Sequence, residues 1–315
     1  MTAALTWARL SYRQQRWELV IVTLACLGLA AFAAWLTIDM RSVLATCGTP
    51  EAANACDVVF AFQETHGEAV GWVQALTGFV PVAVGLVLGI PIVAREIESR
   101  TALITWPMAM SRTRWLAWRA LPPLIVGLAL VALLGLAVDQ MWRAYFPHTD
   151  IGFVQYEGRG LPFVMRTALI FAVAVVTGAF IGRVLPALLV GVGLSAVVIV
   201  ALTIALPHWV PSVEIAGLEE DPGAYIGAQL HTEIAYRVPD GGLVSAEVGE
   251  AMTEEAFAAA APGEPDPDSM PRMVIFGVAA DRYWEVVLHE SAALGLASIG
   301  LLGMAALVVE RRRSA

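Results

Sequence analysis

The chain has 315 residues, of which 58% are hydrophobic and only 15% charged, with a net charge of −9 and a mean hydropathy of +0.70. These values exclude an ordinary soluble globular domain and point to a polypeptide folded within a bilayer. Nothing in the acidic balance suggests a nucleic-acid partner, and none is expected.

Residues 1–18 place Trp7, Leu10 and Trp17 among Arg9, Arg13 and Arg16. That mixture suits an amphipathic helix lying along the inner membrane surface, and equally a basic flank that only sets orientation. The apolar run that follows is longer than the roughly 7–15 residues of a signal-peptide core, so it reads as a retained span. A helix crossing a bilayer core needs about 20 apolar residues. Six segments qualify: 19–38, 70–93, 116–138, 161–181, 184–206 and 286–309. No run alternates as a membrane barrel strand does, so the expected fold is an all-α membrane protein of six transmembrane helices.

Within this order, Cys26 packs in the first span. Cys47 and Cys56 flank Gly48-Thr49-Pro50 in the first outer loop, where a disulfide and two free thiols are both open readings. Pro81, Pro91 and the pair Pro122-Pro123 predict kinks in the second and third spans. Gly85 and Gly89 form a small-xxx-small pair suited to close helix contact. Arg183 and Pro186 separate the fourth and fifth spans as a tight hairpin. The segment 207–283 is far longer than a connection requires, and we expect a small extracytoplasmic subdomain there. Its stretches 225–238 and 242–248 suit strand or helix, whereas 254–271 is rich in Ala, Pro and acid and reads as a flexible loop. Residues 284–315 then supply the sixth span and a basic tail.

All positive charges are arginines; the chain has no lysine. Arg9, Arg13, Arg16, Arg95, Arg100, Arg112, Arg114, Arg119, Arg183 and Arg311–Arg313 cluster on one side of the predicted spans. The positive-inside rule puts that side, and both termini, in the cytoplasm, as in a bacterial inner membrane. Arg41, Arg143, Arg159, Arg166, Arg237, Arg272 and Arg282 are assigned to the other side. The span interiors read as almost free of ionisable groups, apart from His289 and Glu290 about one turn inside the last span. With Glu285 these either line an outer vestibule or reach out to the interface.

Enzymatic chemistry finds no foothold in the sequence. A phosphate loop needs a lysine to reach the β- and γ-phosphates, and none exists. Metal-protease, nucleophile-elbow and paired-cysteine motifs are also missing. His66, His148, His208, His231 and His289 are scattered on the outer side without ligand spacing. No catalytic residue and no metal are therefore expected.

The remaining feature is the inner loop over residues 94–115. It combines Arg95, Glu96, Glu98 and Arg100 with Trp106, Met108 and Met110, then Arg112 and Arg114. One reading is a docking knob, with charge pairs fixing register and apolar side chains giving grip. The other is a topogenic loop in which Glu96 and Arg100 pair at i,i+4 on a surface helix.

The block 89–101, followed by Ser111-Arg112-Thr113-Arg114-Trp115, resembles the second-span and inner-loop signature of type 2 ABC-transporter permeases. Gly182-Arg183-Val184-Leu185-Pro186-Ala187, Leu206-Pro207-His208-Trp209 and Ala280-Asp281-Arg282-Tyr283-Trp284-Glu285 resemble later blocks of a branch common in high-GC Gram-positive bacteria. Arg100 departs from the pattern, standing where glycine is usual. The resemblance implies two six-span permease subunits, identical or related, with two cytoplasmic ATPase subunits gripping the inner loops. ATP and Mg would be bound by those partners, and no cofactor by this chain. The implied function is export of a hydrophobic or amphiphilic drug, lipid or peptide. Two other readings are a membrane sensor or resistance module acting through 207–283, and a secondary transporter independent of an ATPase.

Overall fold

The computed structural model describes residues 15–46, 57–101, 111–146, 151–215, 230–260 and 270–312. Cys47, Cys56, Trp106, Met108, Met110 and most of the N-terminal segment 1–18 lie outside the described residues. The chain divides into two compact units, one of residues 1–147, 155–202 and 289–315, the other of 148–154 and 203–288.

The first unit is helical: α1 (Arg16–Thr46), α2 (Asp57–Gly89), α3 (Pro91–Glu98), α4 (Arg112–Tyr145), α5 (Gly160–Ile181), most of α6 (Val184–Ala205) and the later part of the last helix, α8 (Tyr283–Arg311). Six helical stretches are long and apolar enough to cross a membrane, and they fall in the predicted order. Their backbone polar groups are paired internally, the condition for a segment lying in hydrocarbon. Several buried hydroxyls follow the same rule, Ser291 Oγ being an exception. Thr37, Thr167, Thr177, Ser195 and Ser298 each donate to the carbonyl four residues back, so no outside partner is needed.

The second span is carried by two consecutive helices. Pro91 has no N–H to continue the ladder, and α2 ends at Gly89 before α3 starts at Pro91. Ile90 bridges them in helical conformation, bonding Leu86 O behind and Ala94 N ahead. Pro81 lies within α2, and Pro122 and Pro123 within α4.

The α2/α3 stretch and α5 are the most enclosed, with 61% and 67% of their apolar windows buried, against 17% for α6. They meet through small residues. A Cβ added at Gly85 would sit 2.8 Å from Phe171 N, and one at Gly89 would sit 2.6 Å from Ala174 Cβ. From the facing side, a Cβ on Gly178 would lie 2.8 Å from Ile90 O. Without lipid–water contrast to drive association, this close backbone approach supplies the dispersion contact that holds the pair. Leu86, Ile90, Ala94, Ile170, Ala174 and Ala187 form the adjoining core. α6 instead presents Leu185, Leu189, Val197 and Ile204 on its exposed face.

In the second unit the stretches that suited strand or helix contain strands. This unit holds β1 (Val213–Ile215), β2 (Leu230–Arg237), β3 (Leu243–Ser245) and β4 (Arg272–Val278) in one antiparallel sheet of order β1-β4-β2-β3. Ala235 pairs with Val274 and Ile234 with Ile275, with an irregularity between His231 and Glu233. Helix α7 (Ala246–Ala260) follows β3, so residues 254–260 are helical rather than part of an acidic loop; residues 261–269 are outside the described set. Composition alone misled here, because alanine favours helix as strongly as acid and proline favour disorder.

Candidate functional site

Three polar features of the helical unit concentrate the chemistry: a knot of arginines at one end, an ion pair buried between α5 and α8, and a lateral groove.

The knot begins with α3. Arg95 reaches Glu18 in the first turn of α1. Glu96 turns inward and pairs with Arg119 of α4 at 2.7 Å, their side chains 4% and 6% exposed, while Thr101 Oγ1 donates to the other carboxylate oxygen at 2.7 Å. The Arg119 guanidinium also lies 5.5 Å from the Trp115 ring centroid. Glu98 accepts the Val184 N–H at 3.0 Å, placing a carboxylate on an otherwise unpaired donor at the positive start of α6. Arg112 donates to the carbonyls of Val309, Glu310 and Arg312 at 3.2, 3.1 and 2.7 Å. Arg312 in turn donates to Ala179 O and, at 3.3 Å, to Phe180 O. Two guanidinium groups thus complement the negative C-terminal ends of α8 and α5. Both use a single nitrogen, Nη1, whose two N–H groups are shared among the clustered carbonyls.

Gly182 makes room for this arrangement. Its φ of +70° closes α5 in the left-handed region, and a Cβ there would lie 2.8 Å from Arg312 Nη2. The start or end of every candidate span is therefore tied into one polar assembly beside residues 99–101 and 111.

This placement alters the roles expected of the inner-loop charges. Glu96, Glu98, Arg95 and Arg112 bind other helices of the same chain. Glu96 does not form the i,i+4 pair with Arg100 that a surface helix would show. Arg100 instead adopts φ +59°, the left-handed conformation in which glycine is least strained. Arg114 is exposed, and its N–H donates to the Ser111 hydroxyl that caps α4.

Toward the other end of this unit, Arg166 of α5 pairs with Glu290 of α8 at 2.8 Å, with exposures of 6% and 0%. It also pairs with Glu157 at 3.2 Å and lies 5.8 Å from the Tyr156 ring centroid. Among the described residues, Arg166 Nη2 and Glu290 Oε2 have no hydrogen-bond partner. Nearby in sequence, Arg159 pairs with Asp139 at 2.8 Å and is 2% exposed. Sequence reasoning counted Arg166 and Arg159 among the arginines of the other side without naming partners for them; both are buried. The signal was present: an arginine inside one apolar run and a glutamate inside another imply a pair. Of the three vestibule candidates, only Glu290 is buried. His289 and Glu285 are exposed, and Glu285 pairs with Arg282 at 2.9 Å.

The groove, of about 490 Å³, lies between α2, α6 and the 3-10 turn Tyr156–Gly158. Phe79, Val82, Val192 and Ile199 form apolar walls, while Gln74, Gln155 and Glu157 supply its polar end. Among the described residues, no group of three His, Cys, Asp or Glu side chains comes together to hold a metal.

Residues 22–210, more than half of the chain, match the family model described as ABC-2 membrane transporter related. No curated protein and no solved structure matches the chain.

Proposed function

Because the chain belongs to the ABC-2 membrane transporter related family, we propose that it is the permease subunit of an ATP-driven exporter, coupled through residues 94–115 to a separate ATPase. Its six membrane-length helices make it a multi-pass membrane protein. In this reading the arginine knot faces the cytoplasm of a bacterial cell, consistent with the positive-inside rule. Two copies, or this chain and a related one, enclose a route for a hydrophobic or amphiphilic cargo. Two ATPase subunits bind ATP and Mg.

The observation that carries the proposal is the convergence of helix ends on the base of the inner loop. A force applied to residues 99–111 acts directly on α3 and α4. Glu98 passes it to α6, Arg112 to α8, Arg95 to α1, and Arg312 links α8 to α5. Packed elements tied this way move as bodies rather than bend, which is what alternating access by domain movement requires. Docking itself then falls to the exposed Arg100 and Arg114 together with Trp106, Met108 and Met110, whose apolar side chains offer grip. Glu96 and Glu98 transmit rather than dock.

Co-purification with an ATPase tests this directly. The expected result is a stable ATPase complex that is lost on Trp106→Ala combined with Met108→Ala and Met110→Ala, and retained on Glu98→Gln. Export continuing at full rate without any ATPase would establish the secondary-transporter reading instead.

A further inference from the structure

We infer that the groove between α2 and α6 binds a cationic amphiphile, with its ammonium against Glu157 and its tail along Phe79, Val82 and Val192. This deepens the exporter reading by naming the class of cargo, and it rests on that reading only for the step of transport.

Three observations converge. The first is shape. Gln74 and Val82 are eight residues apart on α2, so the groove runs about 12 Å along the helix axis. Its polar end lies away from the arginine knot and its apolar walls lie toward the middle of the helices. That is the polarity of a single-chain amphiphile standing in one leaflet. Phe79, at 71% exposed, stands where the groove meets the apolar outer surface, giving entry from the lipid side. The volume is within the roughly 300–1,000 Å³ of small-molecule sites.

The second is charge. Glu157 is the one ionised side chain among the lining residues, and its side chain is 44% exposed. Arg166, its ion-pair partner, is 6% exposed, does not line the groove, and is held from behind by Glu290. A headgroup arriving in the groove therefore meets a carboxylate whose compensating arginine is shared with Glu290. An anionic headgroup meets like charge there.

The third is construction. Gly158 holds the turn against α2, where a Cβ would lie 3.1 Å from Thr77 Cγ2. Gln155, at φ 49° and ψ 37°, occupies the left-handed region before it. The carboxylate is thus carried on a fixed turn backed by a buried ion pair, the kind of support that preorganises a binding group. By contrast, Gly78 in the groove has no atom within 4 Å of an added Cβ, so its face is open space.

The test uses the full chain in phosphatidylcholine nanodiscs, titrated with dodecyltrimethylammonium, with empty nanodiscs subtracted. Dodecyl sulfate, with the same tail, and tetramethylammonium, with the headgroup alone, are the comparisons. The expected result is saturable binding of dodecyltrimethylammonium, at least tenfold tighter than either comparison. Glu157→Gln keeps the shape and is expected to weaken it tenfold or more. Gly78→Leu, whose Cβ enters open space, is expected to abolish it, with the unfolding midpoint unchanged or raised. Equal binding of dodecyl sulfate, indifference to Glu157→Gln, or no saturable binding in well-folded wild-type protein would each overturn the inference. ATPase association and ATP-driven transport are scored separately. Binding without transport counts against the exporter reading alone, and transport without binding counts against this site alone.

Discussion

Arg166 on α5 and Glu290 on α8 form an ion pair of 2.8 Å with almost no exposed surface, joining helices more than a hundred residues apart in sequence. Each partner keeps one polar atom unbonded among the described residues, although Arg166 also touches Glu157 at 3.2 Å. Removing Arg166 leaves the fully buried Glu290 carboxylate without its counter-charge, and removing Glu290 leaves Arg166 with Glu157 alone.

Glu290→Leu is accordingly expected to lower stability by about 3–5 kcal/mol, whereas the double change Arg166→Leu with Glu290→Leu recovers most of the loss. Thermal unfolding of the wild type, Arg166→Leu, Glu290→Leu and the double variant in micelles closes the cycle. Additive losses in the double variant would show that the two side chains act separately.

The contact between α2 and α5 makes a positional prediction. A methyl group at Gly89 would lie 2.6 Å from Ala174 Cβ and 2.9 Å from Phe171 O, so Gly89→Ala is expected to cost about 1–3 kcal/mol. Gly78→Ala, on the same helix but in open space, is expected to be neutral or to stabilise by up to about 1 kcal/mol. The ranking of their unfolding midpoints is the measurement, and the opposite order would refute the packing described.

Arg100 holds φ +59° at the end of α3. Arg100→Gly relieves a left-handed penalty of roughly 1–2 kcal/mol, partly offset by added freedom in the unfolded chain, for a net gain of about 1 kcal/mol or less. A lower midpoint would mean that the arginine side chain contributes more than its backbone costs.

Glu98 caps α6 from a neighbouring helix. Loss of a cap costs about 1 kcal/mol, so Glu98→Ala is expected to raise hydrogen exchange at the Val184 amide several-fold. Exchange along the enclosed part of α5 should not change. Uniform acceleration across the unit would show that Glu98 supports the whole fold rather than one helix start.

The number and order of the spans were legible because hydrocarbon imposes a single length scale and a single acceptable backbone. An uninterrupted apolar run such as 184–206 has no other use. The helix break at Pro91 was legible for an equally local reason, the missing N–H. The sheet in the second unit was less so. β1 and β4 pair across more than fifty intervening residues, and short strands carry little periodic signal of their own.

The candidate sites divide along the same line. Composition and arginine placement by themselves determined a membrane protein, its six helices, one basic end, and the lack of any lysine for a phosphate loop. Only the tertiary structure decided what the charges at that end touch: Glu96 meets Arg119, Glu98 starts α6, and Arg112 closes α8. It likewise gave Arg166, which the sequence had only assigned to the other side, its partner Glu290. Hydropathy is a property of neighbouring residues and can be read along a chain. An ion pair depends on which helices pack together, and that is settled by the close approach of surfaces such as Gly85 and Gly89 of α2 against α5, which no single segment encodes.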